Sequence, residues 1–371
     1  NRGFVTMNIT GLTDKIGGYI ADASNIVGGA ASVTPSMLAS NPASLLAGKA
    51  KLNEALTGPL NHFGLSPTTF DPIASRYEAI KSDRHDKLLD SLLMGKSPEG
   101  TTGIVFTLAG GPSPGLLDGT GSAAKFLEPI GFTIDASGNL YVADEGNHAI
   151  RRITPTGIVT TIAGNGNPGN NNGSTTAAQF FRPTGVAVDA FGNIFVADSG
   201  NHLIRKISKL GVVTTLAGSG ECGHKDGLSS VAGFCLPYSL TVDRDGNIFI
   251  SDWGNSAIRK ISTTGIVSTL AGGSFGFSNG IGVEAKFAGP FGIVIDRFNV
   301  VYVADLYNNS VRKITNTSSS TSGVVSTLAG NGTKGFANGV GSAATFNNPF
   351  GVALDASGNV YVADFNNSVV R

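Results

Sequence analysis

The chain has 371 residues, of which 52 are glycine, and its 26 lysine and arginine residues balance 26 aspartate and glutamate residues. Charged residues make up only 14% of the sequence, against about 25% in typical soluble proteins. A chain without a basic excess is a poor candidate for nucleic-acid binding, because phosphate contacts supply much of that affinity. No apolar run approaches the roughly 20 residues of a membrane-spanning helix. We therefore expect a turn-rich globular protein with no nucleic-acid partner and no membrane span.

The first hundred residues contain no internal repeat. Residues 1–10 are expected to be the end of an upstream β domain. Apolar residues at helical spacing predict a small helical region over residues 11–96, with its last helix at 85–94. Residues 97–102 are expected to form a linker.

From residue 103 onward, one motif of about fifty residues recurs five times, which indicates a repeat architecture. Each copy contains an aspartate that closes a VAD or ISD triplet. The longest step between these aspartates includes an insertion at residues 316–322. The five copies begin at Pro129, Pro183, Pro237, Pro290 and Pro349.

Each copy has the residue pattern of four short strands. In the second copy we predict strands at 185–189, 194–198, 203–207 and 212–217, from runs of valine, isoleucine and phenylalanine bounded by turn residues. A DxxGN sequence separates the first two strands, and its glycine can adopt a positive φ. Four antiparallel strands repeated at this period, with no helical crossover, describe the blades of a β-propeller.

The sequence PTGVAVDAFGNIFVADSGNHLIRKIS of the second copy and its counterparts resemble the NHL-repeat β-propellers, in particular a bacterial exported type with a long LAGxGxxGxxDGxGxxAxF connector. The resemblance covers residues 103–371 and implies an all-β propeller with five four-stranded blades, preceded by the small helical segment. It implies function only loosely, because such folds host unrelated activities.

The number of blades in the whole protein stays open at this point. Propellers of this family commonly have six blades, and residues 103–110, GIVFTLAG, resemble a spare fourth strand that would complete the last blade. Either the ring closes with five blades, or the chain is a fragment of a longer protein with a sixth. We favour the fragment, because the chain starts without methionine and stops in mid-strand.

A phenylalanine recurs at a fixed place in every connector. A large apolar residue at this position is best interpreted as a plug between adjacent blades, contributing roughly 1.5 to 3 kcal/mol when fully buried. The five predicted plugs are Phe126, Phe180, Phe234, Phe287 and Phe346.

The two cysteines of the chain, Cys222 and Cys235, both lie in the connector before the third copy. In a cytosolic protein they would be small buried apolar residues. In an exported protein a disulfide bond is favoured, with a contribution of about 3 kcal/mol in the chain-entropy description. We predict the disulfide and an extracellular or periplasmic location, with a lipid anchor as an option in the full-length protein.

The sequence predicts no catalytic residue, no metal ligand and no cofactor. No GxSxG, P-loop or HExxH motif is present. His148 and His202 occupy the same turn position in two copies and are expected to be turn residues, while His224 lies alone in a loop. The DRDGN run that starts at Asp243 lacks the length and terminal glutamate of a calcium loop. We interpret it as a hairpin turn.

The copies differ most at two positions that should meet on one rim of the propeller. The first is the start of the inner strand, occupied by Ile130, Thr184, Tyr238, Phe291 and Phe350. The second follows the second strand and is occupied by Glu145, Ser199, Trp253, Leu306 with Tyr307, and Phe365. The aromatic members predict a binding platform for a protein, peptide or carbohydrate. The alternative is that they pack the funnel of the ring.

Three functions from different classes remain. The first is a noncatalytic binding or adhesion scaffold of an exported bacterial protein. The second is a hydrolase or lyase, such as the metal-dependent lactonases among six-bladed propellers, although the inner-strand starts offer none of the acidic, amide or histidine side chains that those enzymes use. The third is a passive spacer between domains, favoured if the aromatic rim proves buried.

Overall fold

The structure is a computed structural model that describes residues 107–318 and 322–371. The predictions for residues 1–102 and for the first part of the spare strand, 103–106, lie outside the described residues. Residues Ala109–Thr154 and Ile158–Arg371 form one compact unit, and this unit is the propeller described below. No helix among the described residues has the length and apolar character needed to cross a bilayer.

The described residues form five antiparallel sheets, which are the blades. Blade 1 contains β1 Gly119–Thr120, β2 Pro129–Ile134, β3 Leu140–Asp144, β4 Ala149–Ile153 and β5 Ile158–Ala163. Blade 2 contains β6 Gly173–Ser174, β7 Pro183–Val188, β8 Ile194–Asp198, β9 Leu203–Ile207 and β10 Val212–Ala217. Blade 3 contains β11 Gly227–Leu228, β12 Pro237–Val242, β13 Ile248–Asp252, β14 Ala257–Ile261 and β15 Ile266–Gly272.

The last two blades follow the same order. Blade 4 contains β16 Gly280–Ile281, β17 Pro290–Ile295, β18 Val301–Asp305, β19 Ser310–Thr315 and β20 Val324–Ala329. Blade 5 contains β21 Pro349–Leu354, β22 Val360–Asp364 and β23 Val369–Val370. The helical elements of the described residues are three-residue 3₁₀ turns: Gly121–Ala123, Glu145–Asn147, Ser199–Asn201, Trp253–Asn255, Gly282–Glu284, Leu306–Asn308, Gly341–Ala343 and Phe365–Asn367.

The predicted four-stranded blade is confirmed, with one addition at its outer edge. In blades 1 to 4 a two-residue strand from the connector pairs with the fourth strand, so the order in blade 2 is β6-β10-β9-β8-β7. The inner strand β7 lies one or two residues earlier than predicted, because Pro183 already pairs with Asp198. The DxxGN turn is a hairpin, in which the Asp189 carboxylate accepts hydrogen bonds from the backbone N–H and the side-chain amide of Asn193.

The inner strands of consecutive blades pack against one another, β2 on β7, β7 on β12, β12 on β17 and β17 on β21. Residues from all five inner strands line one central cavity of about 420 Å³. Apolar side chains fill the space between neighbouring blades, as where Phe195 of β8 packs with Leu240 and Ile250 of the next blade. The core is therefore a series of layers between blades.

Four of the five predicted phenylalanine plugs are confirmed. Phe180, Phe234, Phe287 and Phe346 are buried in these layers, whereas Phe126 is half-buried. In the described part of the chain no blade covers the face of blade 1 that would pack on a preceding one. Phe132 of β2 is accordingly 69% exposed, while its counterpart Val186 in blade 2 is buried.

The described end of the predicted spare strand, residues 107–110, does not lie in a strand. No third strand of a blade pairs with it among the described residues, so its backbone gains no ladder partner. The N–H of Gly110 nevertheless donates to Gly121 O at 3.0 Å. Gly164, which follows the fourth strand of blade 1, donates to Thr175 O in the same way.

A buried ion pair that the sequence analysis missed ties each blade to its connector. In blade 2, the Arg205 guanidinium donates to Asp198 Oδ2 at 2.8 Å, and both side chains are fully buried. The same guanidinium donates to Asn172 Oδ1 and lies 5.2 Å from the ring centre of Phe180. The Asn201 amide donates to Asp198 Oδ2 as well. The recurring Asp thus anchors an arginine, an amide and the connector.

This arrangement recurs in every blade, with Arg and Asp seven residues apart. Its ion pairs are Asp144–Arg151, Asp198–Arg205, Asp252–Arg259, Asp305–Arg312 and Asp364–Arg371. A buried carboxylate needs a paired, hydrogen-bonded environment. The residue before the connector glycine is Asp or Asn in each of the five copies, because its side-chain oxygen accepts a hydrogen bond from the arginine.

Candidate functional site: an aromatic mouth

The two sets of variable residues lie at the same end of the blades. In blade 3, the first residue of the inner strand, Pro237, pairs with Asp252, the last residue of the second strand. Tyr238 therefore follows the first position, and Trp253 opens the 3₁₀ turn after the second. The same pairing recurs between Pro290 and Asp305 in blade 4. We call this cluster the aromatic mouth, and its members are Tyr238, Trp253, Phe291, Tyr307, Phe350 and Phe365.

Three of these side chains pack on one another over the channel. The ring centres of Tyr238 and Phe291 are 3.6 Å apart, and those of Phe291 and Phe350 are 3.9 Å apart. Phe291 in the middle is only 8% exposed. These three rings thus form an aromatic layer at one end of the cavity, which is the packing role that the sequence analysis left open.

The other members lie at the edge of this layer. Tyr307 is 51% exposed and Trp253 is half-buried. Phe365 is 63% exposed because no blade follows blade 5 in the described residues, whereas Leu306, at the same position in blade 4, is buried. The ring centre of Phe365 lies 5.5 Å from that of Phe350, so the exposed ring continues the packed layer. The mouth therefore has an inner layer that is packed and an outer set of rings that is accessible.

At the junction of blades 3 and 4, a small connector residue is combined with a large rim residue. In blades 1 to 3 a glycine of the rim turn packs against a larger connector residue, and a Cβ on Gly200 would lie 2.6 Å from the Phe181 ring. In blade 4 the connector residue is Ala288, and Tyr307 stands at the position of that glycine. The Tyr307 N–H donates to Ala288 O at 3.0 Å. The small connector residue is what leaves room for the tyrosine ring.

Gly289 leaves further room for aromatic side chains at this junction. Its φ is +66°, in the left-handed region that favours glycine. A Cβ at this position would lie 2.8 Å from the Tyr307 ring and 3.0 Å from Trp253 Nε1. Both aromatic side chains thus occupy the space that Arg182 or Leu236 fills at the earlier blade junctions.

A charged pair borders the mouth on the other side. The Arg182 guanidinium donates to Glu145 Oε1 at 2.6 Å, with the carboxylate mostly buried and the guanidinium largely exposed. Burial raises the pKa of the Tyr238 hydroxyl above its usual range, and the Glu145 carboxylate raises it further. Tyr238 is therefore a neutral hydrogen-bonding group.

No cluster of three or more histidine, cysteine, aspartate or glutamate side chains able to hold a metal ion occurs among residues 107–318 and 322–371. The starts of the inner strands are apolar, aromatic or threonine side chains. The Asp243 carboxylate, which begins the DRDGN run, accepts hydrogen bonds from the N–H and the amide of Asn247, both at 2.8 Å. The run is the hairpin turn that the sequence predicted.

The predicted turn histidines have an additional contact. His148 and His202 both adopt left-handed φ values at the end of the rim turn, as expected for turn residues. Nδ1 of His148 accepts a hydrogen bond from the backbone N–H of Arg182 in the next blade, at 3.2 Å. Sequence analysis could not have found this contact, because the partner is a backbone group.

Cys222 and Cys235 lie at bonding distance, with their Cα atoms 4.3 Å apart. They connect the two ends of the connector before blade 3. His224 in this loop is not isolated, since its Nε2 lies 3.0 Å from Thr269 Oγ1. Burial lowers the pKa of His224.

The comparison with family models identifies NHL repeats. The model described as NHL repeat matches residues 126–153, 180–207 and 346–371. These ranges contain β2, β3 and β4 of blade 1, β7, β8 and β9 of blade 2, and the described strands of blade 5.

Two curated relatives come from a plant and an animal. The chain is 32% identical to Protein SUPPRESSOR OF QUENCHING 1, chloroplastic, of Arabidopsis thaliana, over 69% of this chain and 26% of that protein. It is 31% identical to human NHL repeat-containing protein 2, over 71% of this chain and 41% of that protein. The chain therefore spans less than half the length of these relatives.

Among solved structures, an auxiliary nutrient binding protein from Bacteroides ovatus matches with a TM-score of 0.50 and 18% identity, over 65% of this chain and 58% of that chain. At this identity the likeness concerns the fold alone. It agrees with the blades of the propeller. The chain therefore carries NHL repeats, and its described residues form a five-bladed NHL β-propeller.

Proposed function

We propose that this propeller is a noncatalytic binding or adhesion scaffold whose ligand sits on the aromatic mouth. The observation that carries the proposal is the exposure of Tyr307 beside the packed rings, at the end of the propeller where the blades differ in sequence. Exposed aromatic side chains beside a rigid packed layer supply contact area at low entropic cost. The partner would be a protein, a peptide or a carbohydrate, and not a nucleic acid.

The proposal includes an exported, bacterial setting, extracellular or periplasmic. Its support is the pair Cys222 and Cys235 at bonding distance, because disulfide bonds persist in oxidising compartments. The passive spacer is disfavoured by the accessible rings of the mouth. The lactonase-like alternative has no supporting observation among the described residues.

The proposal is tested with arrays of oligosaccharides, peptides and extracellular proteins, probed with the whole chain and with a Tyr307→Ala/Phe365→Ala variant. We expect ligands of the native protein to bind the variant at least about tenfold more weakly, since truncated anchors typically cost more than 1 kcal/mol. A Phe191→Ala/Phe298→Ala variant is the matched control, because these rings are exposed in hairpin turns at the opposite end of the blades. If every ligand bound both variants equally well, the mouth would not be the binding surface.

A further inference from the structure

A second set of exposed aromatic side chains borders the mouth at blade 4. Phe275 and Phe277 lie in the connector before this blade and are 71% and 44% exposed. The carbonyl oxygen of Gly276, between them, accepts from the side-chain amide of Asn308 at 2.7 Å. Asn308 follows Tyr307 in the rim turn, so both phenylalanines lie next to the accessible ring of the mouth.

This exposure does not arise at an open end of the propeller. The connector before blade 5 follows, and a Cβ on its Gly332 would lie 3.2 Å from the Phe277 ring. The position of Phe275 is exposed in the earlier connectors as well. Its occupants before blades 1 to 3 are Pro114, Pro168 and Cys222. An exposed aromatic ring at this position is therefore particular to blade 4.

A buried arginine holds the Phe277 ring in place. The Arg312 guanidinium lies 4.9 Å from the ring centre of Phe277 and 5.0 Å from that of Phe287. A cation beside an aromatic face is attracted to the ring. Arg312 is itself fixed by its ion pair with Asp305. Phe277 is therefore ordered before any ligand arrives, which lowers the entropic cost of binding.

Two lysines without a partner flank these rings. A Cβ on Gly276 would lie 3.1 Å from Lys286 Cδ, so the Lys286 side chain passes beside the residue between the phenylalanines. Lys334 occupies the position of Phe275 in the next connector. Neither ammonium group forms an ion pair or a hydrogen bond within residues 107–318 and 322–371. We call this set the outer patch, and its members are Phe275, Phe277, Lys286 and Lys334.

The exposed acidic side chains lie elsewhere. Glu284, in the same connector, follows Gly282, whose N–H donates to Gly323 O in the turn at the opposite end of blade 4. At the mouth end, the exposed carboxylates that lack an ion pair within the described residues are Glu128 and Glu221. They belong to the connectors before blades 1 and 3. The outer patch is therefore locally cationic.

Apolar rings next to unpaired cations favour an acidic peptide segment. Phe275 and Phe277 have no polar atom, so a sugar stacked on them would leave its hydroxyl groups without partners from these side chains. Bulky apolar side chains pack well on such rings. Carboxylates on neighbouring residues complement the ammonium groups of Lys286 and Lys334. A peptide carries both kinds of group within a few residues.

We propose that the outer patch binds an acidic segment of a partner protein. The bulky apolar side chains of this segment pack on Phe275 and Phe277. Its carboxylates lie beside Lys286 and Lys334. The inference rests on the proposed function, which makes this end of the propeller the binding surface, and it adds the chemical class of the ligand.

The test selects a random-peptide display library on the whole chain, with hexagalacturonate, an acidic oligosaccharide, as the comparison probe. We expect the selected peptides to be enriched in aspartate and glutamate next to bulky apolar residues, and to bind in calorimetry with a Kd below about 0.1 mM. Their affinity should fall between about 50 mM and about 300 mM salt, because salt screens exposed charges. Failure to select any peptide, or selection of peptides without this composition, would overturn the assignment.

A pair of single variants tests the ring contact. Phe275→Ala should weaken binding of the selected peptides about tenfold or more. Phe298→Ala removes a ring of the same 71% exposure from a hairpin turn at the opposite end, and it should leave the affinity unchanged. Because both side chains are largely exposed, neither variant should impair folding, which urea unfolding checks.

A pair of double variants tests the charge contact. Lys286→Glu/Lys334→Glu should weaken binding about tenfold or more at low salt and flatten its salt dependence. Lys209→Glu/Arg297→Glu changes the net charge by the same amount through exposed turn residues at the opposite end, and it should have little effect. Equal losses in the two double variants would mean attraction to net charge alone and would overturn the assignment.

The outcomes separate the two proposals. Peptides that bind Phe275→Ala and Lys286→Glu/Lys334→Glu as tightly as the native chain would overturn the outer patch. If Tyr307→Ala still weakened those peptides, the mouth would remain the binding surface. Peptides that were insensitive to Tyr307→Ala as well would refute the mouth. Binding of hexagalacturonate without any peptide would overturn the peptide assignment in favour of an acidic sugar.

Discussion

Acidification should weaken the contact between blades 1 and 2. Nδ1 of His148 accepts from the Arg182 N–H at 3.2 Å. A protonated imidazole has only donors. Once charged, the His148 ring would present an N–H to another N–H, and the hydrogen bond between the blades would be lost.

The chain contains a version of the same contact that cannot titrate. At the junction of blades 4 and 5, Asn309 has the same left-handed conformation and its Oδ1 accepts from the Asn348 N–H at 3.0 Å. Asparagine adopts this conformation readily. A His148→Asn substitution should therefore preserve the hydrogen bond between blades 1 and 2 and remove its dependence on pH.

The direction of the effect follows from the surroundings of His148. Burial lowers its pKa, the Arg182 guanidinium lowers it too, and the Glu145 residue opposes both. A base whose folded pKa is depressed contributes stability above its unfolded pKa of about 6.5, and this contribution is lost as the pH falls through the folded value. The hydrogen bond of His148 should contribute about 1 kcal/mol.

The measurement is urea unfolding of the native chain and of a His148→Asn variant at about pH 7.5 and about pH 5, on either side of the titration of free histidine. We expect the two proteins to agree within about 0.5 kcal/mol at the higher pH. At the lower pH the native chain should lose about 1 kcal/mol more than the variant. Equal losses on acidification would show that this hydrogen bond does not cause the pH dependence.

Three further substitutions test the scaffold by chemical unfolding. Arg205→Met should lower the free energy of unfolding by about 3 to 5 kcal/mol, because it leaves the buried Asp198 carboxylate without its counter-charge. A decrease below about 1 kcal/mol would mean that the ion pair is dispensable. Phe234→Ala should cost about 3 to 5 kcal/mol through the cavity left between blades 2 and 3, and an unchanged midpoint would contradict the plug. Cys222→Ser should lower the free energy of unfolding by about 3 kcal/mol, because it removes the disulfide bond to Cys235. Peptide mapping with and without reductant checks the bond. Free thiols in the native protein would contradict it.

The repeat made the blades predictable because strand periodicity is a local property of the sequence. The second, third and fourth strands of blade 2 have the predicted bounds, as does the hairpin that begins at Asp189. The two-residue outer strands were missed, since Gly173–Ser174 has no strand pattern of its own. Such a strand forms only because the connector is carried past the fourth strand of its blade.

The buried ion pairs were missed for a different reason. The sequence alone does indicate a pairing, because an arginine such as Arg205 recurs seven residues after the Asp of each copy. What the sequence cannot show is that Arg205 is fully buried and stacked on Phe180. Long-range contacts of this kind depend on how the connector folds back.

For the mouth, the sequence predicted which residues share an end of the ring but not which of them pack. The packing of Phe291 depends on ring contacts across blades. The sequence also did not show which residues contact Tyr307. Its accessibility depends on Ala288 and Gly289, whose small size has meaning only next to the tyrosine in space.

Within each blade, the polar residues that stabilise the fold are separate from the rim residues that vary. A rim position can therefore change without unfolding the propeller. The Asp, Arg and Asn of a blade use their polar atoms on one another and on the connector, so none of them is needed at the mouth. The rim turn is then constrained mainly by the volume of the connector residue beside it. Phe181 excludes a side chain at Gly200, whereas Ala288 admits Tyr307. The shape of the mouth between blades 3 and 4 is thus set by this exchange of volume at the blade junction, while the Asp–Arg ion pair recurs in each described blade.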